Sequence, residues 1–234
     1  MAELPQIGAK VNPIELPGPK TYHIEGWSAM RDEKRLAILR QIALRRGRDP
    51  RIATLVIQII REAGCQPREY VKQAAALLKW VQKNIYYVNE PDERLQEPTY
   101  TLRVRYGDCD DEAILLYALY RSVRLPAKLV ISGVNRAGKK VRYVQGDPNY
   151  PPGVSWAHIY VAVGDKPYGK CNWYFAEPTM DVPFGWDVVS HSTDAMPEMN
   201  ASNYAGADAA PSDVSPLVWV TLGAAAAWLL GKNA

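Results

Sequence analysis

Apolar residues recur at spacings of three and four in the first third of the chain, which is the period of an amphipathic helix. The pattern predicts three helices, at about 28–47, 52–63 and 68–87, with proline and glycine residues between them. The third helix is predicted to bury one stripe, which consists of Val71, Ala74, Ala75, Leu78, Val81, Gln82 and Ile85. Arginine and lysine crowd the rest of the first helix, and we interpret them as a solvated basic face.

In the middle of the chain the pattern changes from helical to alternating. Residues 91–106 are predicted to form a loop, and 110–123 a helix that is buried on most sides, because 113–120 is continuously apolar. Strands are predicted at 129–134, 141–144, 156–163 and 172–177, the first two joined as a hairpin. The predicted order of elements therefore runs from helices to strands.

Both ends of the chain differ from the middle in composition. Residues 4–19 contain four prolines and two glycines, which block helix formation and favour an extended arm. Residues 191–215 are rich in Ala, Ser, Asn and Asp and are predicted to be a linker. Residues 214–231 carry no charge, which predicts a helix that is apolar all round and that either docks on protein or enters a membrane.

Composition narrows the class of protein. The chain has 234 residues, 47% of them hydrophobic, so it is long enough to bury a core. Its net charge of +3 is too small to indicate nucleic-acid binding. The N-terminus has no cationic start followed by an apolar run, so we predict no secretory signal.

The three cysteines, Cys65, Cys109 and Cys171, are an odd number for a disulfide framework and are predicted to be reduced. Cys109 lies in the run Tyr106-Gly-Asp-Cys-Asp-Asp-Glu112, at the first turn of the buried helix. Free backbone N–H groups and the helix dipole stabilise a thiolate there, whereas the neighbouring carboxylates oppose it, so an activated Cys109 needs a cationic partner. Alternatively, Cys109 is a small packing residue at the start of the helix, and the neighbouring acids only cap the helix. Cys65 and Cys171 are interpreted as structural.

His158 is the histidine best placed to supply that partner, because the other two lie in peripheral segments. It lies on the strand 156–163, and Glu177 lies on the next strand along the chain. If residue 163 pairs with residue 172 in a hairpin, His158 faces Glu177 directly, and the carboxylate would orient the imidazole. The register is an assumption, since a slip by one residue would turn Glu177 to the other face.

With these residues, positions 71–182 resemble the transglutaminase-like superfamily of papain-like cysteine enzymes. The matching motifs are Val81-Gln-Lys-Asn-Ile-Tyr-Tyr-Val88, Gly107-Asp-Cys-Asp-Asp-Glu-Ala113, Leu125-Pro-Ala-Lys-Leu-Val130, the strand of His158 and the step Glu177-Pro-Thr179. The resemblance implies an α+β, papain-like fold in which a central helix carrying the cysteine packs on an antiparallel sheet. We accordingly divide the chain into an extended arm with a basic helix (1–50), a core (51–190) and a linker with an apolar helix (191–234).

The resemblance also implies roles for individual residues, because the family order is Cys, His, Asp. Cys109 would be the nucleophile, His158 the general acid and base, and Glu177 the orienting acid. Glu177 departs from the aspartate that is usual in the family, and Asp181 is a weaker alternative. The backbone N–H of Cys109 is an expected oxyanion donor, while Trp80 is either a second donor or a core residue of its helix.

Two functions of different classes follow. In the first, the chain is a cysteine protease, amidase or transglutaminase-type enzyme that acts on peptide or protein amides through Cys109, His158 and Glu177. No cofactor is expected, and no metal, because no spacing of zinc ligands is present. In the second, the chain is an assembly component of a bacteriophage particle, where such domains also occur, and segments 1–50 and 214–231 dock to neighbouring subunits or a membrane. The expected location is cytoplasmic or virion-associated.

Overall fold

The structure, a computed structural model, describes residues 21–89 and 94–190. Within these residues lie five helices, namely α1 (Asp32–Arg46), α2 (Pro50–Glu62), α3 (Tyr70–Asn84), α4 (Pro98–Val104) and α5 (Cys109–Ser122). Four of them match the predicted helices, with ends that differ by a few residues: apolar spacing predicted α1, α2 and α3, and a continuous apolar run predicted α5.

The described strands form one main sheet and two short pairs. They are β1 (Thr21–His23), β2 (Tyr86–Tyr87), β3 (Arg94–Gln96), β4 (Tyr106–Gly107), β5 (Ala127–Asn135), β6 (Lys140–Val144), β7 (Val154–Gly164) and β8 (Trp173–Ala176). The main sheet is antiparallel in the order β6-β5-β7-β8, while β1 pairs with β3 and β2 runs parallel to β4. The four predicted strands are the four strands of the main sheet, so the fold is mixed α/β with an antiparallel sheet.

Helix α5 lies at the centre of the fold because its sequence is apolar on every side. All residues from Asp111 to Tyr120 are buried, and α5 contacts α1, α2, α3, α4 and the sheet strands β5 and β7. The phenol of Tyr120 is satisfied inside the core by donating to the backbone carbonyl of Ala74, at 3.2 Å. The residue at the start of this helix is therefore fixed in place by the whole core.

The two faces of the main sheet are covered differently. Ile131, Ile159 and Val161 belong to the core shared with the helices. Val130 and Tyr160, on the opposite face, pack instead against the chain that follows β8, through Met180, Val182, Trp186 and Val188. The alternation of the strands places one set of residues under the helices and the other under this C-terminal segment.

The predicted loop at 91–106 is wrong where the structure has strand β3 (Arg94–Gln96) and helix α4 (Pro98–Val104). Pro98 stands in the first turn of α4, where no helical N–H is required, so this proline begins a helix. Glu97, just before it, is buried and ion-paired with Arg46 of α1, and it also accepts a hydrogen bond from Tyr22. Long-range pairing of this kind leaves no local periodicity in the sequence.

Helix α1 packs into the same hydrophobic core as α5. Its buried apolar residues are Leu36, Leu39, Ile42 and Ala43. The stripe predicted for α3 is correct at Ala74, Leu78, Val81 and Gln82 but wrong at Val71, which is 39% exposed because it lies in the first turn, at the edge of the helix packing. The division of the chain at residues 50 and 190 stays a prediction.

The predicted terminal features lie outside the described residues. These are the extended arm at 4–19, the linker at 191–215 and the apolar helix at 214–231. No helix of residues 21–89 and 94–190 is both long enough and apolar enough to cross a membrane. The proposed docking of 214–231 and of most of the arm to neighbouring subunits therefore stays a hypothesis.

Candidate active site

The turn before α5 is held by its own carboxylates. Asp108 Oδ1 accepts hydrogen bonds from the backbone N–H groups of Asp110 and Asp111, at 2.9 and 3.2 Å. Asp111 Oδ2 in turn accepts from the backbone N–H of Asp108, at 3.4 Å, which completes a capping box. Cys109, the first residue of the helix, is thereby fixed between two capping residues.

A glycine allows this turn to close. A Cβ atom added at Gly107 would lie 2.6 Å from Cβ of Asp111, closer than real side chains approach. The carboxylate of Asp111 occupies that space, and its Oδ1 accepts from the backbone N–H of Gln96, at 2.6 Å. The Gly-Asp-Cys-Asp-Asp run therefore ties the cysteine to β3 as well as to its own helix.

The environment of Cys109 keeps its thiol protonated. Burial is the largest cause that raises its pKa, followed by the negative charges of Asp110 and Asp108, while the backbone N–H of Ile159 acts in the opposite direction. The acids near the helix N-terminus thus outweigh the stabilisation of a thiolate that the helix position offers. The free cysteine holds a neutral thiol.

The same backbone N–H shows which part of the sheet approaches Cys109. Ile159 follows His158 on β7, and β8 pairs with β7 only from Val161 onward. The edge of β7 at His158 and Ile159 is therefore left uncovered by β8, and the N-terminus of α5 meets β7 there. The thiol of Cys109 therefore lies near the backbone of Ile159, the residue that follows His158.

Glu177 contacts the ring of His158 through one carboxylate oxygen. His158 Nε2 lies 2.6 Å from Glu177 Oε2, and both side chains are buried. The other oxygen, Oε1, accepts from the backbone N–H of Thr179 at 2.9 Å and from its hydroxyl at 2.7 Å. Both carboxylate oxygens have fixed partners, so the ring of His158 has one orientation, with Nδ1 left for another partner.

The contact between His158 and Glu177 is made in a different register from the one assumed. Val163 pairs with Tyr174 rather than with residue 172, so the strands are offset by two residues and Glu177 would stand opposite Tyr160. An offset of two preserves the face of the sheet, and diagonal neighbours lie farther apart than directly opposed ones. The long side chain of Glu177 makes the 2.6 Å contact with His158 from this diagonal position.

A buried glutamine positions the segment that carries Glu177. Gln82 of α3 donates through Nε2 to three backbone carbonyls, those of Glu177 at 3.0 Å, Met180 at 2.7 Å and Val182 at 2.9 Å. One side chain therefore fixes the path of the chain directly after β8. The apolar stripe of α3 predicted that Gln82 is buried, but not what it binds.

Sequence comparison identifies the family. The family model of the transglutaminase-like superfamily matches residues 58–178, just over half of the chain. The chain belongs to the transglutaminase-like superfamily. The match includes α3, the start of α5, β7 and Glu177, so all three candidate residues lie inside it. A search of curated proteins gave no significant match.

Two solved structures are similar to this transglutaminase-like chain. One is a candidate protease from Parabacteroides distasonis, with 12% identity, a TM-score of 0.44 and coverage of 64% of this chain and 26% of that one. The other is a candidate cysteine protease from Cytophaga hutchinsonii, with 18% identity, a TM-score of 0.30 and coverage of 58% and 55%. The chain thus spans about a quarter of the first protein and about half of the second.

Two residues of this transglutaminase-like site were missed by the sequence analysis. Glu112 is fully buried, and neither carboxyl oxygen has a hydrogen-bond partner among the described residues. Burial first, and the charge of Glu177 second, raise the pKa of its carboxyl, which favours the protonated form. Tyr87 is also buried, and burial, followed by the acidic groups at the start of α5, raises the pKa of its phenol. The spacing of three residues from Cys109 to Glu112, one helical turn, could have indicated the first.

The remaining candidates lie elsewhere or have other partners. Asp181 is 60% exposed and forms an ion pair with Lys79, so it does not contact His158. Trp80 is buried in the helical core, with the guanidinium of Arg105 5.1 Å from its ring centroid. Within residues 21–89 and 94–190, no cluster of His, Cys, Asp and Glu could hold a metal ion.

Proposed function

We propose that the chain is a thiol-dependent enzyme of acyl transfer on amide bonds, with Cys109 as nucleophile, His158 as general base and acid, and Glu177 as the orienting carboxylate. The observation that carries the proposal is the buried contact of 2.6 Å between His158 Nε2 and Glu177 Oε2, at the strand edge that meets the first residue of α5. In the same proposal, residues 51–190 form a papain-like core.

The neutral thiol determines how the first step would run. With the Nε2 proton donated to Glu177, Nδ1 of His158 is the base that takes the proton of Cys109 as an amide carbonyl approaches. The sulfur forms a bond to the carbonyl carbon, and the carbonyl oxygen becomes an oxyanion. The carboxylate of Glu177 stabilises the imidazolium that is formed, without taking its proton.

Collapse of this intermediate completes the transfer. The imidazolium of His158 gives its proton to the leaving amine, the C–N bond breaks, and a thioester remains on Cys109. Water or a second amine then attacks the thioester, giving its proton to His158, and the regenerated thiol takes that proton back. Attack by water makes the chain a protease or amidase, and attack by an amine makes it a transglutaminase.

The oxyanion would be held by groups at the start of α5. The backbone N–H of Cys109 belongs to the first helical residue, which has no intrahelical acceptor. Tyr87 is the proposed second donor, because it is buried and pairs with Gly107 on β4, two residues before Cys109. Two donors of this kind are the usual requirement for stabilising a tetrahedral intermediate.

Peptide or protein amides are the proposed substrates, and one assay separates the two acyl acceptors. The full chain is incubated with fluorescein-labelled casein in the presence of dansylcadaverine, and both peptide release and amine incorporation are measured. We expect one or both signals, their complete loss in Cys109→Ala and no change in Cys171→Ala, which serves as the matched control. Retention of either signal in Cys109→Ala would refute the mechanism.

A further inference from the structure

A cleft lies at the end of α5 opposite to Cys109. It has a volume of about 500 Å³ and lies between α1, α5, the start of β5, the end of β6 and the start of β8. Its polar lining comes from Arg40, Arg121, Lys128, Gln145 and Trp173. This volume is within the range of about 300–1,000 Å³ that is typical of sites for small molecules.

The charges around this cleft have one sign. Three of its lining residues are cationic, Arg40, Arg121 and Lys128, and none is Asp or Glu. Among the described residues, none of the three forms an ion pair with a carboxylate. Cations that converge without a counter-charge repel one another, and a bound anion would remove that repulsion.

Two of the cations are already held in place. Arg121 donates through Nη1 to the backbone carbonyl of Leu125 at 3.0 Å, and its Nε is buried without a partner among the described residues. Lys128 Nζ lies 4.8 Å from the ring centroid of Trp173, which is itself 40% exposed. An indole under the ammonium restricts Lys128, so an anion can bind without ordering a mobile side chain first.

This cleft is separate from the candidate active site. Cys109 is the first residue of α5 and Arg121 lies in its last turn. At 1.5 Å per residue, the twelve steps between them span about 18 Å along the helix axis. A small ligand in the cleft therefore cannot contact Cys109, and its binding is independent of the proposed acyl transfer.

We propose that this cleft binds a small organic polyanion that carries two or more phosphate or carboxylate groups. Arg121 and Arg40 offer the planar donor pairs that match either oxyanion, and Lys128 adds a third positive charge. Trp173 forms an apolar wall for the carbon skeleton between the anionic groups. A volume of about 500 Å³ favours a small molecule over a peptide segment.

Calorimetric titration with two probes tests the proposal. Pyrophosphate and citrate are titrated separately into the full chain, and we expect saturable binding of at least one, with an affinity that falls as salt is raised. The tighter of the two identifies phosphate or carboxylate as the preferred group. Lys128→Gln should weaken binding at least tenfold, whereas Lys83→Gln, which removes an exposed charge on α3, should leave it unchanged.

Three results would overturn the proposal. They are the absence of binding by either probe at millimolar concentration, an equal loss of affinity in Lys128→Gln and Lys83→Gln, and tighter binding of a deca-glutamate peptide than of both small anions. Arg121→Gln is a second variant, and thermal unfolding of each variant shows that the fold is retained. Because titration needs no turnover, the result does not depend on the acyl-transfer proposal.

Discussion

The two ends of α5 are built from opposite charges and in opposite ways. At the N-terminal end, Asp108 and Asp111 each bind backbone N–H groups, and the turn around Cys109 is closed. At the C-terminal end, Arg121 and Lys128 border an open cleft with no carboxylate in its lining. One end can therefore hold reacting atoms in a fixed geometry, and the other can accept a ligand.

Helix stability explains part of this difference but not all of it. Acids near the start of a helix and bases in its last turn interact favourably with the helix dipole and stabilise the helix. A purely structural helix could therefore also carry Asp108, Asp110 and Arg121 at these positions. Glu112 has no hydrogen-bond partner among the described residues, and Lys128 lies outside the helix. These two residues exceed what helix capping needs, and each belongs to one of the two proposed sites.

Among variants that keep the chemical group they alter, the largest effect is expected from shortening the proposed orienting acid. In Glu177→Asp the charge is kept, but the carboxylate loses the reach that the offset register demands. We expect kcat/KM to fall about 100-fold, because a displacement of about 1 Å in a catalytic group can cost that much. The measurement is hydrolysis of labelled casein, with Lys128→Gln as the control at the other end of α5. Full activity in Glu177→Asp would contradict the register explanation.

The next effect concerns the unpaired acid beside the site. Because burial raises the pKa of Glu112, the folded protein holds this proton more tightly than the unfolded chain does. Below the pKa that Glu112 has in the unfolded chain, its carboxyl is neutral in both the folded and the unfolded protein. As pH rises from that pKa toward the higher pKa of the folded protein, the free energy of unfolding falls. Glu112→Gln removes this pH dependence.

We therefore expect the free energy of unfolding of Glu112→Gln to exceed that of the native chain by about 2 kcal/mol at pH 8. At pH 4 the two values should differ little. Urea denaturation at the two pH values measures both quantities. A variant that loses stability equally at both pH values would show that Glu112 is ionised and paired in the folded protein.

A smaller effect is expected at the thiol. The charge of Asp110 raises the pKa of Cys109, so Asp110→Asn should lower it and speed alkylation of Cys109 a few-fold at neutral pH. The rate is followed by mass spectrometry with iodoacetamide, and Cys65 in the same molecule serves as the internal reference. Equal rates in the native chain and the variant would mean that burial alone sets the reactivity.

The smallest effect is expected from relief of repulsion in the cleft. Lys128→Gln removes one of three converging cations and should raise the free energy of unfolding by about 0.3 kcal/mol at low salt, with no gain at 1 M salt. Thermal unfolding at the two salt concentrations measures this. A loss of stability at low salt would indicate that the contact of Lys128 with Trp173 outweighs the repulsion.

The sequence pattern predicted the helices and strands that are determined by residues close together in the chain. Apolar spacing predicted three helices, a continuous apolar run predicted the fourth, and alternation predicted the four strands of the main sheet. Turn chemistry placed Cys109 at a helix start. Helix α4 was missed because it is only seven residues long, and because Glu97, which precedes it, is held by an ion pair with the distant Arg46. No window of neighbouring residues contains that pairing.

The candidate site divides in the same way. Alternation along β7 and β8 placed His158 and Glu177 on one face, but the register between the strands depends on the loop that joins them, and the structure shifts it by two residues. The side chain of Gln82, which holds three carbonyls of the following segment, could not be predicted because those carbonyls come from a distant part of the chain. The alternation of a strand in the sequence predicts which face of the sheet a residue lies on. The register, and so the distance between two residues on that face, depends on how the strands pack.

The most direct test of the central claim is to trap the acyl-enzyme. The full chain is mixed with a peptide p-nitrophenyl ester, quenched in acid within seconds, and digested for mass spectrometry. We predict that the acyl group is found on Cys109 and that Cys65 and Cys171 stay free, with no acylation of Cys109 when His158 is changed to Ala. Acylation spread equally over the three cysteines, or unchanged in His158→Ala, would contradict the account.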